Sequence, residues 1–302
     1  MAPQVPEDAV PTRVLVFGMA HEDGTVLAGE LFPVAEACGQ SAEQVRSCLR
    51  RVVAEGLLVR SGGSGATARY QATAAGTAAL GATMERTLLA YGQDAAGRGW
   101  DRQWRLVAFA LPEARRRDRQ LFRDRLRALG GAAIQGGLYV SPHPWHKEVA
   151  DQAAALGIDD AVTMATTDDL NVGGERDPRQ LARRLWPLDE LAGGYEAFVQ
   201  RYRDLPALLT AMRRRHDKLA DASFLPGALS MAVGFQACFE RDPLLPPELL
   251  PRPWPGRAAR DLLVTCRRLA LSIRQSSGRP ALFRLFDEAI EQMPLTTGPG
   301  GP

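Results

Sequence analysis

Lysine is almost absent from this 302-residue chain, because Lys147 and Lys218 are the only two lysines among 37 lysine and arginine residues. Arginine therefore carries nearly all of the positive charge, and 35 aspartate and glutamate residues balance it to a net charge of +2. So small a net charge says nothing for or against a nucleic-acid partner. Any such signal has to come from local clustering of arginine.

Cysteine is also scarce. The four thiols, at Cys38, Cys48, Cys238 and Cys266, have neither C-x-x-C spacing nor a histidine cluster beside them, which argues against a zinc site and a disulfide framework. No run approaches the roughly 18 apolar residues of a membrane span, and residues 1–11 lack the pattern of a signal peptide. We expect a cytoplasmic protein with no metal, no cofactor and reduced core cysteines.

Composition and length indicate a folded chain with more than one domain. Apolar residues make up 45% and charged residues 24%, as in ordinary globular proteins, and single cores stop growing at roughly 250–300 residues. We predict an α+β multidomain chain. Its parts are an amino-terminal domain at residues 12–91, a linker at 92–99, a middle domain at 100–177, a helical carboxyl-terminal domain at 178–293 and a disordered tail at 294–302.

The most specific local pattern lies in residues 29–70. A short helix over residues 30–37 ends before Gly39, and Ser41 with Gln44 three residues later forms a capping box that starts a second helix. Residues 57–61 and 66–72 read as two strands around a glycine-rich tip, which is the wing of a winged helix. The second helix has an apolar stripe at Val45, Cys48, Leu49 and Val52.

The polar side of this second helix suits DNA recognition. Residues 41–70 hold five arginines against two acidic residues, and arginine reaches guanine edges and phosphates in the major groove. An isolated helix with exposed arginines is more often a solvated surface, but the order of helix, turn, helix and hairpin favours a winged helix-turn-helix. The predicted DNA contacts are Ser41, Gln44, Arg46, Ser47, Arg50 and Arg51 on the helix, with Arg60 and Arg69 on the wing.

The middle block reads as a ferredoxin-like βαββαβ domain. Its strands are predicted at residues 104–111, 132–135, 138–141 and 160–165, with helices at 113–129 and 144–156. The turn between the second and third strands is the pair Gly136 and Gly137. The carboxyl-terminal block is helical and interrupted by prolines, with helices predicted at residues 226–240, 256–275 and 280–292.

Over these blocks the chain resembles the PaaX-type family of bacterial transcriptional regulators. The segments that carry the resemblance are residues 45–51 (VRSCLRR), 100–107 (WDRQWRLV), 137–142 (GLYVSP), 241–251 (RDPLLPPELLP) and 254–256 (WPG). The resemblance implies a homodimer that binds double-stranded operator DNA and represses an operon. It also implies release by a small-molecule effector, which for the type member is an aryl-CoA thioester. An activator that answers to no effector is the alternative.

Effector contacts are less well indicated than DNA contacts. Trp100, Trp104, Arg105 and Tyr139 are candidates, because aromatic rings stack on aryl groups and arginine binds carboxylates or phosphates. Trp104 and Tyr139 also fit plain core positions. The basic face of the first middle-domain helix could be solvated, or bind nucleic acid or effector phosphates; it comprises Arg115, Arg116, Arg117, Arg119, Arg123 and Arg127.

An enzymatic function is disfavoured. The middle domain also resembles the ferredoxin-fold nuclease subunit of CRISPR adaptation complexes, which places a metal-binding aspartate near the end of its first strand. Here that strand ends at residues 109–112 (FALP), which offer no carboxylate for magnesium. His143 and His146, with Trp145 between them, are expected to form a packed turn rather than a metal site. No catalytic residue is predicted.

Overall fold

A computed structural model describes residues 12–276 and 281–287, and they form two compact units, each built from separate stretches of chain. The first unit holds the chain up to Tyr91, then Ala197–Ala237, and the described residues from Arg257 on. The second unit holds Gly92–Glu196 and Cys238–Gly256. The predicted division into three successive domains therefore does not coincide with the compact units. The predicted tail, and residues 280 and 288–292 of the last predicted helix, lie outside the described residues.

The amino-terminal part of the first unit combines helices with a small antiparallel sheet. In chain order the elements are α1 (Thr12–Gly18), β1 (Thr25–Leu27), α2 (Ala28–Ala37), α3 (Ala42–Ala54), β2 (Leu58–Gly62), β3 (Arg69–Ala72) and α4 (Ala74–Ala96). The strands take the order β1-β3-β2, and a 3₁₀ turn at Gly65–Thr67 lies between β2 and β3.

The predicted linker is largely helical. α4 continues to Ala96, so residues 92–96 belong to a helix rather than to a flexible connection. Gly97 has a φ of 64°, and its amide donates to the Gln93 carbonyl at 2.9 Å. Glycine therefore stops the helix here, as its freedom in the left-handed region allows, while Gly92 is accommodated within it.

The second unit contains the predicted ferredoxin-like fold. The elements are β4 (Trp104–Phe109), α5 (Arg116–Ala128), β5 (Ala132–Gln135), β6 (Leu138–Ser141), α6 (His146–Leu156) and β7 (Val162–Thr167), followed by α7 (Pro178–Leu185) and the start of α8 (Leu188–Tyr202). The chain order βαββαβ agrees with the prediction, and the sheet is antiparallel with the order β5-β6-β4-β7.

Both faces of this sheet are covered. Val107 and Phe109 of β4 pack with Phe122 of α5 and Val149 of α6 on one face. Trp104, on the alternate position of the same strand, packs on the other face with residues of α7 and of the loop at residues 245–250. Successive strand residues point to opposite faces, so the nearly continuous apolar sequence of β4 follows from burial on both sides.

Gly137 is required in the turn between β5 and β6. Its φ is 86°, and a Cβ on this residue would lie 2.4 Å from the Phe109 carbonyl oxygen. We expect Gly137→Ala to lower the free energy of unfolding of the second unit by about 1–3 kcal/mol, because backbone strain and overpacking add. Urea denaturation followed by tryptophan fluorescence measures this, since all five tryptophans lie in the second unit.

Gly136 is the matched control. A Cβ on Gly136 would meet no heavy atom within 4 Å, so Gly136→Ala is expected to leave the urea midpoint nearly unchanged. Equal midpoints for the two variants would contradict the role given to Gly137.

The rest of the first unit is helical. It consists of the end of α8, with α9 (Leu205–Arg214), α10 (Asp221–Phe239) and α11 (Pro255–Ile273), the last of which begins in the second unit. Among the described residues, α10 is the one helix long and apolar enough to cross a membrane by length and composition alone. The expectation that no run approaches a membrane span therefore does not hold for this helix by length and composition. Phe224, Leu229 and Met231 are buried, and 33% of the apolar window is buried inside the protein.

A single core joins the amino-terminal helices to the end of the chain. Leu15 of α1 and Leu49 of α3 are buried in one cluster with Leu229 of α10 and Leu282. The segment of residues 281–287, named here the carboxyl-terminal segment, supplies Leu282, which is fully buried. The amide of Phe283 in this segment donates to the Gly18 carbonyl at 2.6 Å. The core of the first unit is therefore completed by contacts between residues more than 260 positions apart in the sequence.

Two arginines hold the carboxyl-terminal segment in place. Arg267 of α11 donates to both carboxylate oxygens of Asp287 at 2.8 Å, and to the Leu282 carbonyl at 2.9 Å. Arg284 donates to Glu30 of α2 at 2.6 Å and to Nδ1 of His21 at 2.9 Å. Because Nδ1 accepts, the His21 proton is on Nε2, which donates to Glu30 at 3.0 Å. The segment is thus tied to α11 on one side and to α2 on the other.

Candidate nucleic-acid interface

The start of α3 is built by the predicted capping box. Ser41 Oγ accepts from the Gln44 amide at 3.2 Å, and Gln44 Oε1 accepts from the Ser41 amide at 2.7 Å. Gly39, with a φ of 74°, makes the tight turn from α2. Both polar side chains that were expected to contact DNA at this end are therefore engaged in the cap, where they fix the direction of α3.

The exposed face of α3 is arginine-rich, as its sequence pattern predicts. The apolar stripe of Val45, Cys48, Leu49 and Val52 is buried. Arg46, Arg50 and Arg51 are exposed and Ser47 is half-buried. The structure therefore places three guanidinium groups on the solvent side of one helix.

Glu43 is a member of this surface that the sequence analysis did not single out. Its carboxylate lies 2.9 Å from Nη2 of Arg50 and 3.7 Å from Nη1 of Arg46. The Arg50 hydrogen bond lowers the pKa of Glu43 below its usual range, so the carboxylate is charged at neutral pH. Arg46 also lies over the Phe32 ring of α2, 5.7 Å from its centroid. Helical i,i+3 and i,i+7 spacing from Glu43 is the signal that could have revealed these pairs.

The two arginines of the predicted wing, Arg60 and Arg69, lie on opposite faces of the β2–β3 hairpin. Arg60 is opposite Tyr70 in the strand register, and Tyr70 packs against the core. Arg69 precedes Tyr70, so its side chain points to the other face. Arg60 donates to the Gly63 carbonyl at 2.7 Å and so braces the tip, whereas Arg69 is exposed. The hairpin thus offers one arginine at its tip and one on its outer face.

The four candidate effector contacts do not converge on one site. Trp104 and Tyr139 are both buried, but they lie on opposite faces of the middle sheet, because Tyr139 is opposite Val107 rather than Trp104. Trp104 belongs to a row of three rings, and its ring centroid lies 5.2 Å from that of Trp100 and 6.4 Å from that of Trp186. The aromatic residues are used in two separate parts of the core.

Arg105, at the start of β4, is held by hydrogen bonds to its neighbours. It forms an ion pair with Asp101 and donates to the Gln103 and Pro142 carbonyls at 3.1 and 2.9 Å. Hydrogen bonding from Arg105 lowers the pKa of Asp101. These bonds brace the loop before the strand and engage both terminal nitrogens of the guanidinium group.

The basic face of α5 is partly structural. Arg115 donates to the Leu156 and Gly157 carbonyls at 2.6 and 2.7 Å, which satisfies the end of α6. Arg119 donates to the Leu111 carbonyl at 3.2 Å, while Arg116 and Arg117 are exposed. Of the six arginines on this face, at least two are therefore committed to holding the second unit together.

His143, His146, Cys38 and Cys266 are all buried or half-buried. His143 Nε2 lies 2.9 Å from the Pro243 carbonyl, and burial lowers the pKa of His146. Across the described residues no group of three histidine, cysteine, aspartate or glutamate side chains could hold a metal ion. Burial raises the pKa of Cys38 to about 11 and that of Cys266 to about 12, so both thiols stay protonated and unreactive at neutral pH.

Comparison with known proteins matches most of the chain beyond residue 96 to two family descriptions. Residues 97–182 match the "PaaX protein central Cas2-like domain", and residues 186–278 match the "PaaX-like protein C-terminal domain". The chain therefore has a Cas2-like central domain followed by a helical domain of the PaaX type. It belongs to the PaaX-type family, as the sequence motifs indicated.

Two individual proteins are similar to the chain over most of its length. The "Transcriptional repressor PaaX" of Escherichia coli (strain K12) is 27% identical over 249 residues, which cover 82% of this chain and 74% of that protein. A solved structure, the "Uncharacterized protein Rv0674 from Mycobacterium tuberculosis", is 23% identical, covers 88% of this chain and 96% of its own, and has a TM-score of 0.49.

Proposed function

We propose that this chain is a cytoplasmic transcriptional regulator that binds double-stranded DNA through a winged helix-turn-helix in residues 12–91. The observation that carries the proposal is the construction of α3, which is capped by Ser41 and Gln44 and exposes Arg46, Arg50 and Arg51. α2 and α3 are the two helices of the motif, and the β2–β3 hairpin is its wing. Membership of the PaaX-type family and the name of the Escherichia coli relative support it.

In this proposal α3 enters the major groove. Arginine donors on its exposed face reach guanine edges or phosphates, and Arg69 on the outer face of the wing meets the backbone or the minor groove. Ser41 and Gln44 act indirectly, because the capping bonds at 3.2 and 2.7 Å hold the helix start in one orientation. This arrangement favours recognition by a few arginines on a rigid helix.

We further propose that the protein represses an operon as a homodimer and that a small-molecule effector, such as an aryl-CoA thioester, releases it. An effector acts only by binding the DNA-incompetent arrangement more tightly, and each tenfold preference shifts the balance by about 1.4 kcal/mol. Dimer symmetry predicts an inverted-repeat operator with half-sites about one helical turn, or a multiple of it, apart.

Footprinting on the promoter regions next to its own gene tests the DNA proposal. We expect protection of an inverted repeat and an affinity that falls steeply with salt. Protection of a single unsymmetrical site by a monomer would contradict the dimer. Transcript levels in a deletion strain distinguish repression, in which they rise, from the alternative of activation, in which they fall.

A nuclease built on the middle domain remains disfavoured on chemical grounds. β4 ends at Phe109, and the next residues are Ala110, Leu111 and Pro112, so no carboxylate is available where such enzymes bind their metal. Magnesium-dependent cleavage of DNA or RNA by the purified protein would reverse this view.

Substitution of Glu43 provides a test in which DNA binding is expected to become tighter rather than weaker. Its carboxylate competes with phosphates for Arg46 and Arg50, from which it lies 3.7 and 2.9 Å away. We expect Glu43→Gln to tighten operator binding by up to about fivefold, because the exposed, solvent-screened ion pairs that it removes are weak. Mobility-shift titration at fixed salt measures the change in affinity. The control is Glu36→Gln, which alters an exposed carboxylate of α2. Weaker binding by Glu43→Gln would contradict this arrangement.

A further inference from the structure

A second basic surface lies in the first unit, at the junction of α9 and α10. Residues 213–218 have the sequence RRRHDK, and all six are exposed. Four of them are permanent cations, including one of the two lysines of the chain, against a single acidic residue. We name these six residues the basic turn, and nothing in the predicted DNA contacts includes it.

The acidic residues near the basic turn leave three of its cations without a counter-ion. Asp217 lies 2.8 Å from Nε of Arg215. Asp221, at the start of α10, is held instead by Arg274 at 2.6 Å and by Ser276 at 2.7 Å. Among the residues that the structure describes, Arg213, Arg214 and Lys218 form no ion pair. A surface with this composition attracts a polyanion.

The basic turn is held in a fixed shape. The amides of His216 and Asp217 donate to the Arg213 and Met212 carbonyls at 3.1 and 3.0 Å, which closes the end of α9. The backbone of Leu219 then exchanges 2.8 Å hydrogen bonds with Ile273 and Gln275. The cations are therefore displayed from a structured helix end rather than from a loose loop, which reduces the ordering cost of binding.

The basic turn belongs to the same compact unit as the proposed DNA-binding surface. Lys218 is three residues before Asp221, and Leu225, one turn into α10, packs against the core formed by α1, α2 and α3. Three extended residues and one helical turn span at most about 17 Å. A turn of duplex is about 34 Å long, which is longer than the span between the basic turn and this core.

We propose that the basic turn binds the phosphate backbone of DNA that flanks the sequence read by α3 and the wing. This inference rests on the proposed DNA-binding function and adds a second, sequence-independent contact to it. Phosphate contacts of this type fix register and add affinity without reading bases. They also make affinity more dependent on salt, because each phosphate neutralised adds about 0.9 to the steepness of the slope of log affinity against log salt concentration.

The test uses the full chain with the substitutions Arg213→Gln, Arg214→Gln and Lys218→Gln combined. Binding is measured against salt concentration on two duplexes, one trimmed to the footprinted repeat and one with about ten further base pairs on each side. On the long duplex we expect the slope of log affinity against log salt to become shallower by about two to three for each bound protomer. On the trimmed duplex we expect no difference from the wild-type chain.

Two matched variants accompany the test. Arg98→Gln, Lys147→Gln and Arg176→Gln together remove the same charge from exposed positions of the second unit, and we expect them to leave the slope unchanged. Arg213→Lys with Arg214→Lys keeps the charge and should keep the wild-type slope. Circular dichroism verifies that each variant is folded.

Several results would overturn the inference while leaving the proposed function intact. One is a slope on the long duplex that the triple substitution leaves unchanged. Another is an equally reduced slope on both duplexes, and a third is an equally reduced slope in the variant altered at Arg98, Lys147 and Arg176. Each of these results counts when the wild-type chain binds its operator. Failure of the wild-type chain to bind any promoter duplex would instead remove the proposed function, and this inference with it.

Discussion

Replacing Arg46 and Arg51 together by alanine is expected to weaken operator binding at least about 30-fold. Both guanidinium groups are exposed on α3, and an arginine that contacts a base edge contributes about 1–3 kcal/mol. Two such losses amount to about 2 kcal/mol or more. Mobility-shift titration on the footprinted duplex, at one stated salt concentration, gives the two affinities directly.

The control for this double substitution removes the same charge elsewhere. Arg98→Ala with Arg176→Ala alters exposed arginines of the second unit and is expected to change affinity by less than about threefold. An Arg46→Ala, Arg51→Ala chain that binds its operator as tightly as the wild type would remove α3 as the recognition helix. The winged helix-turn-helix assignment would then be wrong in its central element.

Replacing Asp287 by alanine is expected to destabilise the first unit by about 3–5 kcal/mol. Asp287 and Arg267 form a two-bond ion pair in which the side chains are only 3% and 8% exposed. Removal of one partner of a buried pair leaves the other charge without compensation, which is where the cost of this size comes from. Arg267 then also loses the geometry in which it donates to the Leu282 carbonyl.

Two spectroscopic signals separate this effect from a general loss of stability. Far-UV circular dichroism follows the helices of both units, whereas tryptophan fluorescence follows the second unit alone, because all five tryptophans lie there. In urea we expect Asp287→Ala to shift an early dichroism transition and to leave the fluorescence midpoint in place.

An exposed ion pair of the same unit serves as the reference for this substitution. Arg13 and Glu55 lie 2.5 Å apart with side chains 48% and 46% exposed, so Glu55→Ala is expected to cost at most about 1 kcal/mol. Equal dichroism shifts for Asp287→Ala and Glu55→Ala would show that the buried pair has no special role.

The features predicted correctly from sequence are those set by a few neighbouring residues. Ser41 and Gln44 form a capping box because the three-residue spacing alone brings each side chain to the other's amide. The Gly136 and Gly137 turn likewise fixed the ends of β5 and β6 as predicted. Such signals are local, so no tertiary contact is needed to interpret them.

The features that were missed depend on distant partners. β1 has three residues, too few to show a period, and exists because it pairs with β3 about 45 positions later. Trp104 and Tyr139 lie on neighbouring strands as expected, but the register that separates them onto opposite faces is a property of the assembled sheet. The burial of Leu282 beside Leu15 has no signature in either segment alone.

The shared core of the first unit sets the order in which this protein can complete its folding. Leu15, Val45 and Leu49 leave the ribosome early, but Leu282, which fills the same core, is made about 190 residues after Tyr91. At synthesis rates of about 5–20 residues per second, the amino-terminal helices wait about 10–40 s for their last packing partner. During that interval part of their apolar surface is uncovered, so a nascent chain of this protein is exposed to chaperones and proteases until its final residues emerge.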